Sequence, residues 1–285
     1  MINELTRRLL VLIDEFDNFG KLDRKMQLLA IAIGTLRKDR EIAEDIVVLN
    51  ENDQSGIGAL GLSRILIEDY FNIRYLDKNS ETLDENLDLF NTHPHVDHYG
   101  SMKSMLEWGY PFSNEEKLIF PTIEKAFQEN KDKFLRPGKK HEPYHRDNYY
   151  RTWNKLSLEG LIAKSGFADE DPKTAHFLNE SYNSGSSMIH HNAFNIWYLA
   201  TQNRGTELAE EGYKDVSARV TFIVMNRILN LAINIFSKET GDEETALHYM
   251  LELEKILDEF SKKIKYFARA LSTDIRKAKG KVGSP

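Results

Sequence analysis

Residues 91–100, Asn-Thr-His-Pro-His-Val-Asp-His-Tyr-Gly, gather three of the chain's nine histidines and an aspartate within six positions. Imidazole nitrogens and carboxylates are ligands that zinc, iron or manganese accepts. His93, His95, Asp97 and His98 are therefore the first residues whose types and spacing can do chemistry, and that chemistry would be metal-dependent hydrolysis. On a helix His93 and Asp97, four apart, share a face and would need further ligands from elsewhere. The same residues also read as plain structure. Thr92 or His93 caps a helix, Pro94 fills its first turn, and Asp97 meets the positive end of the helix dipole. Tyr99, Met102 and Met105 continue an apolar stripe, with Gly100 inside the helix at a cost of about 1 kcal/mol relative to Ala. The structural reading is the one expected, and no metal or other cofactor is predicted.

A second set of polar residues lies on apolar stretches. Arg64 and Glu68 are four apart in a run from Ile57 to Leu76 that is apolar on nearly every side, so they face the same way and can pair. Desolvating an ion costs several kcal/mol, so such a pair is kept for structural specificity or for a site. Tyr182, Ser186 and His190 follow at four-residue steps and fall along one face if a helix continues through Gly185, with the Ser186 hydroxyl one turn from the His190 imidazole. No third group or oxyanion hole accompanies them, so a core hydrogen-bond network is expected and a nucleophile with its base is the alternative. The candidate site is Arg64, Glu68, Ser186 and His190.

The elements that must position these residues read as helices. Six of the seven prolines lie between Pro94 and Pro172 and the last is Pro285, which leaves both flanks able to form long helices. Ile2, Leu5, Leu9, Leu12, Phe16 and Phe19 recur at three- and four-residue steps, with Gly20 able to end that helix. A second period runs from about Leu22 to Leu49, and the Ile57–Leu76 run reads as a buried central helix. Residues 206–238 carry a fourth period, within which Val-Thr-Phe-Ile-Val alone could pass for a strand. A last helix runs from about Asp242 to Ser272, with Thr240 and Glu243 spaced as a capping box. The expected fold is all-α, a multi-helix bundle with long antiparallel helices and a proline-containing insertion. It is expected to form one domain over 1–285, divisible into 1–90, an irregular 91–150 and 151–285.

A formal charge of −7, 29% charged residues and no cysteine exclude disulfides, thiolate metal sites and a surface that is basic throughout. No apolar run approaches the roughly 20 residues that span a bilayer, and no signal sequence opens the chain; a soluble, cytoplasmic protein without membrane contact is expected. Positive charge collects at residues 131–151, among Phe134, Tyr144, Tyr149 and Tyr150. A solvated face is the expected role there, with RNA binding through Lys139, Lys140, Arg146 and Arg151 as the alternative.

The spacing His93-x-His95-x-Asp97-His98 resembles the first ligand motif of the metallo-β-lactamase superfamily. That fold needs strands around the motif and later His and Asp ligands, and neither is expected here. A longer resemblance runs through Arg64-x-x-x-Glu68-x-x-x-Asn72-x-x-Tyr75-Leu76, then Trp153-x-x-x-Ser157, then Tyr182-x-x-x-Ser186-x-x-x-His190. Over residues 55–200 the chain resembles the bacterial helical domain of unknown function 5677. The resemblance implies an all-helical fold, brings no established activity, and associates the chain with stress or phage-defence loci. Helical ribonucleases of the HEPN class use an Arg and a His separated by four to six residues. Arg136 and His141 have that spacing, but Pro137 and Gly138 place them in a loop.

Three functions follow as expectations. The leading one is an interaction or effector module that self-associates or binds a partner protein, with Arg64, Glu68 and His190 in an internal polar network. The second is a metal-independent HEPN-like ribonuclease. The third is a metal-dependent hydrolase using His93, His95, Asp97 and His98.

Overall fold

The structure, a computed structural model, describes residues 1–17, 26–51, 56–141, 143–189 and 205–282, with the backbone alone at Ser80, 187–189, 205–210 and 263–282. The described residues form ten α-helices and two 3-10 turns, and their one β feature is an isolated bridge between Leu135 and Tyr149. The fold is all-α, as the periodicities predict. The helices are α1 Ile2–Asp17, α2 Gln27–Glu51, α3 Gly56–Lys78, α4 Leu83–Glu107, α5 Asn114–Phe134, α6 Leu158–Lys164, α7 Phe167–Glu170, α8 Pro172–Ile189, α9 Gly205–Thr240 and α10 Glu243–Val282. They divide into two compact units, Met1–Arg74 with Phe167–Pro285 as unit 1 and Tyr75–Gly166 as unit 2. Unit 2 takes in the 91–150 insertion and extends beyond it on both sides.

In unit 1, α9 is the hub and packs on α1, α2, α8 and α10. Val220, Phe222, Val224, Met225, Ile228, Leu229, Ala232 and Ile233 are buried on all its sides, so the Val-Thr-Phe-Ile-Val piece is helix interior. Residues 211–240 are long and apolar enough to cross a bilayer by length and composition, yet most of that stretch is buried. The α1 stripe buries Leu5, Leu9, Leu12 and Phe16; Phe19 and Gly20 lie outside the described residues. Helices α2 and α9 run antiparallel, since Ser217 donates to Asn50 at one end and Leu29 donates its backbone N–H to Glu239 at the other.

The capping box expected at Thr240 and Glu243 does not form. Thr240 is the last residue of α9 and its hydroxyl donates back to the Phe236 carbonyl at 2.8 Å. Gly241 takes the left-handed position after the helix (φ +73), where glycine meets no Cβ penalty. Asp242 then caps α10 by accepting from Thr245 N–H at 3.0 Å. A capping box does occur at Ser113 and Glu116, at the start of α5.

Unit 2 is built on the α4–α5 hairpin. Its core is Val96, Tyr99, Phe127, Phe134 and Tyr149, with the Tyr99 and Phe127 rings stacked 4.0 Å apart. Trp153 is buried edge-on to Tyr75 and Phe90 and anchors this part of the core. The reading of Thr92 or His93 as a cap and Pro94 as first-turn residue is corrected here. Helix α4 already starts at Leu83, behind a 3-10 turn and with Asp84 and Glu85 in its first turn, where acids suit the dipole. Pro94 sits in the helix interior. Gly100 also gains a specific reason: a Cβ there would meet the Tyr144 hydroxyl oxygen at 2.5 Å.

Candidate functional site

The polar site forms between α3 and α8 in unit 1. Arg64 and Glu68 project one turn apart from α3, and Tyr182 reaches them from α8. The Tyr182 hydroxyl donates to Glu68 Oε1 at 2.5 Å and accepts from Arg64 Nη2 at 3.1 Å. The direct Arg64–Glu68 pair is longer, at 3.4 Å, and the guanidinium carbon lies 4.6 Å from the Tyr182 ring centre. Burial first, and the hydrogen bond to Glu68 second, push the Tyr182 phenol above its usual pKa, so it stays protonated and remains a donor at neutral pH. Arg64 and Glu68 oppose each other's charge and the phenol bridges them, which suits a clamp between two helices better than a nucleophile.

The backbones explain how Tyr182 gets so close. A Cβ on Gly185 would come within 2.8 Å of the Leu60 carbonyl oxygen and 3.1 Å of Arg64 Cγ. Glycine at 185 therefore allows α8 to touch α3 one turn from Tyr182, and α8 continues through it, which meets the condition for Tyr182 and Ser186 to share a face. Ser186 is half-buried on α8, and His190 lies outside the described residues. Of the four sequence candidates, the structure joins Arg64 and Glu68, and it adds Tyr182 to them.

The histidine cluster spreads around α4. His93 Nε2 is 3.2 Å from the Tyr150 carbonyl, with its ring edge-on to Phe134. Asp97 accepts from Arg146 at 2.9 Å, while His95 is half-buried and His98 exposed. His93 and Asp97 thus tie the 135–150 segment to α4. Among the described residues, no group of three or more His, Asp or Glu side chains is placed to hold a metal ion. Arg136 and His141 flank a turn, as Pro137 and Gly138 predict; His141 contacts the Tyr149 hydroxyl and Asp132. Within the basic segment Lys133 pairs with Asp88, Arg146 with Asp97 and Arg151 with Asp147. Lys139 and Lys140 are exposed.

Sequence reasoning missed Asp39. It lies on the α2 stripe of Leu36, Ala43 and Ile46, and its side chain is fully buried. As a carboxylate it has no hydrogen-bond partner, and Lys38 Nζ stands 3.8 Å away while also pairing with Asp69 of α3. Burial first, and the neighbouring Asp69 second, push its pKa up to about 9. Two carboxylates would both be acceptors; with its proton, Asp39 becomes a donor to Asp69. The missed signal was positional, an acid on the buried side of a helical period.

Neither the curated proteins nor the solved structures contain a match to this chain. A family model described as a family of unknown function, DUF5677, matches residues 29–207. That span takes in all but the first two residues of α2, then α3, all of unit 2 and α8, with Arg64, Glu68, Tyr182 and Gly185 inside it, and the chain belongs to the DUF5677 family.

Proposed function

We propose that the chain is a protein-interaction module whose contact surface is the apolar tip of unit 2. The observation that carries this reading is the exposure of Leu106, Trp108, Tyr110, Leu118 and Ile119, which lie from the last turn of α4 through the α4–α5 link to the second turn of α5, with Trp108 at 77% and Leu118 at 79%. Single exposed apolar residues are ordinary, but a contiguous patch of a few hundred Å² marks interaction sites. Trp and Tyr are also the residues most often found as binding hot spots. The tip is well held, by the Ser113–Glu116 capping box and by Gly109 in a left-handed turn.

The Arg64–Glu68–Tyr182 network serves this reading as an internal clamp. Action within a bacterial stress or phage-defence system is part of the proposal and rests on family resemblance alone. The ribonuclease reading has less support, because three of the cations in the basic segment already face carboxylates.

The test compares wild type with a Trp108→Ala/Leu118→Ser variant. Both positions are exposed, so stability should change by no more than about 0.5 kcal/mol per site. Cross-linking followed by mass analysis in extracts of the source cell should give a complex, with itself or another protein, that the variant lacks. Equal complexes from both proteins, or none from either at micromolar concentration, would sink the reading.

A further inference from the structure

We infer that the partner of this surface is a second copy of the chain, joined by antiparallel pairing of α5 with its own image. This inference rests on the interaction reading above and adds an occupant and a register. Helix α5 turns Phe120, Ile123, Phe127 and Phe134 inward, towards the core of unit 2. Its outer face carries Glu115, Leu118, Thr122, Lys125 and Glu129, all exposed. Those five follow steps of three and four residues and so line one side of the helix, with exposed Ile119 and Pro121 beside them. An edge helix with a leucine on the solvent side of its second turn is half prepared for another helix.

A two-fold axis lays such a face upon itself, so the face must be self-complementary. This one is. In the antiparallel register that sets Glu115 opposite Lys125 of the other copy, Leu118 falls opposite Thr122 and Ile119 opposite Pro121. Each contact occurs twice, giving two opposite-charge pairs around a centre of leucine on a small side chain. Neighbouring registers are worse. One turn away in one direction, Glu115 meets Glu129; one turn the other way, Lys125 is level with Pro111 and loses its acid. Lys125 is free to swing across, because its in-chain contact with Glu129 is 3.9 Å long and well exposed, a kind of pair that contributes little. The tip residues Trp108 and Tyr110 would then extend over the other copy near Asn130 and Asp132.

In this register residues 114–126 of α5 overlap those of the other copy, a shared length of about 20 Å that offers less than the roughly 800 Å² per partner of a tight complex. A reversible dimer with a micromolar dissociation constant is expected.

Sedimentation of the full chain from about 1 to 200 µM reads this directly, the range bracketing the micromolar constant expected. Wild type should pass from monomer to dimer. Lys125→Glu should weaken the dimer about tenfold or more, since like charges then face each other twice. Glu115→Lys combined with Lys125→Glu should restore it, because the reversed pair is again complementary. Leu118→Ser should abolish it. Glu115 also sits at the favourable end of the helix dipole, so thermal midpoints of all variants are compared to confirm folding. A wild type that stays monomeric over the range, or a double variant as weak as the single one, overturns the inference. If the chain is monomeric while Trp108 and Leu118 still govern a complex with a different protein, the second copy is refuted and the interaction reading stands.

Discussion

A carboxylic acid that holds its proton at neutral pH makes the stability of unit 1 sensitive to alkali. Asp39 has a folded pKa of about 9 against about 3.9 when unfolded. The folded state therefore binds the proton more tightly. Its contribution is fully present below pH 4 and falls as pH rises, until the folded pKa is passed near 9. The thermal midpoint of wild type should decline between pH 6 and pH 9. Asp39→Asn imitates the protonated acid and keeps a donor for Asp69, so it should raise the midpoint at pH 8 by at least about 3 °C and flatten the slope. Calorimetry across that range checks it; parallel slopes in the two proteins would reject the protonated state. Charge alone does not reveal this residue, since Asp39 is one of 45 acids in the chain, and only its place between Leu36 and Ala43 on a buried stripe distinguishes it.

At the scale of elements, the α4 contact with the 135–150 segment makes an unusual helix glycine necessary. Glycine in a helix interior ordinarily loses about 1 kcal/mol to alanine, so Gly100→Ala would be expected to stabilise. Here the Tyr144 hydroxyl occupies the Cβ position, and the substitution should instead destabilise unit 2 by about 1 to 3 kcal/mol. Tyr144→Phe removes the oxygen, and the ring carbon behind it is 3.8 Å from the same point, so the double variant should recover most of the loss. Urea unfolding of the two single variants and the double variant measures this. A double variant no better than Gly100→Ala would mean that the clash lies elsewhere. Helical periods were legible where one face meets a core, as in α1, α2 and α10, and α3 and α9, apolar nearly all round, were legible as long buried helices. The start of α4 was not, because Pro94 looks like a first-turn residue and nothing local says that the preceding turn is already helix. Arg64 and Glu68 were legible as a pair from their spacing, and Tyr182 shared its motif with Ser186 and His190. Gly185, which lets the helices touch, carries no mark of that contact in its own neighbourhood.

For the whole molecule, the order of elements along the chain matters as much as their packing. Unit 2 is one continuous stretch, whereas unit 1 is assembled from both sides of it. Helix α1 packs on α9 and α10, and Arg8 bonds Glu259, 251 positions later. Such distant contacts close last. On the ribosome, α1 and α2 would emerge early and keep Leu5, Leu9, Leu29 and Leu36 without their α9 partner until residues 205–260 had been made, while the α4–α5 hairpin could already be folded. Stalled nascent chains that expose residue 200 and nothing beyond it should resist protease within 83–134 and be cut within 2–51. Protection of both regions at that length would mean that α1 and α2 find an interim cover. A cell making this protein holds the apolar faces of α1 and α2 without their α9 cover until that helix has been made, which makes residues 2–51 a natural client for a chaperone at the tunnel exit.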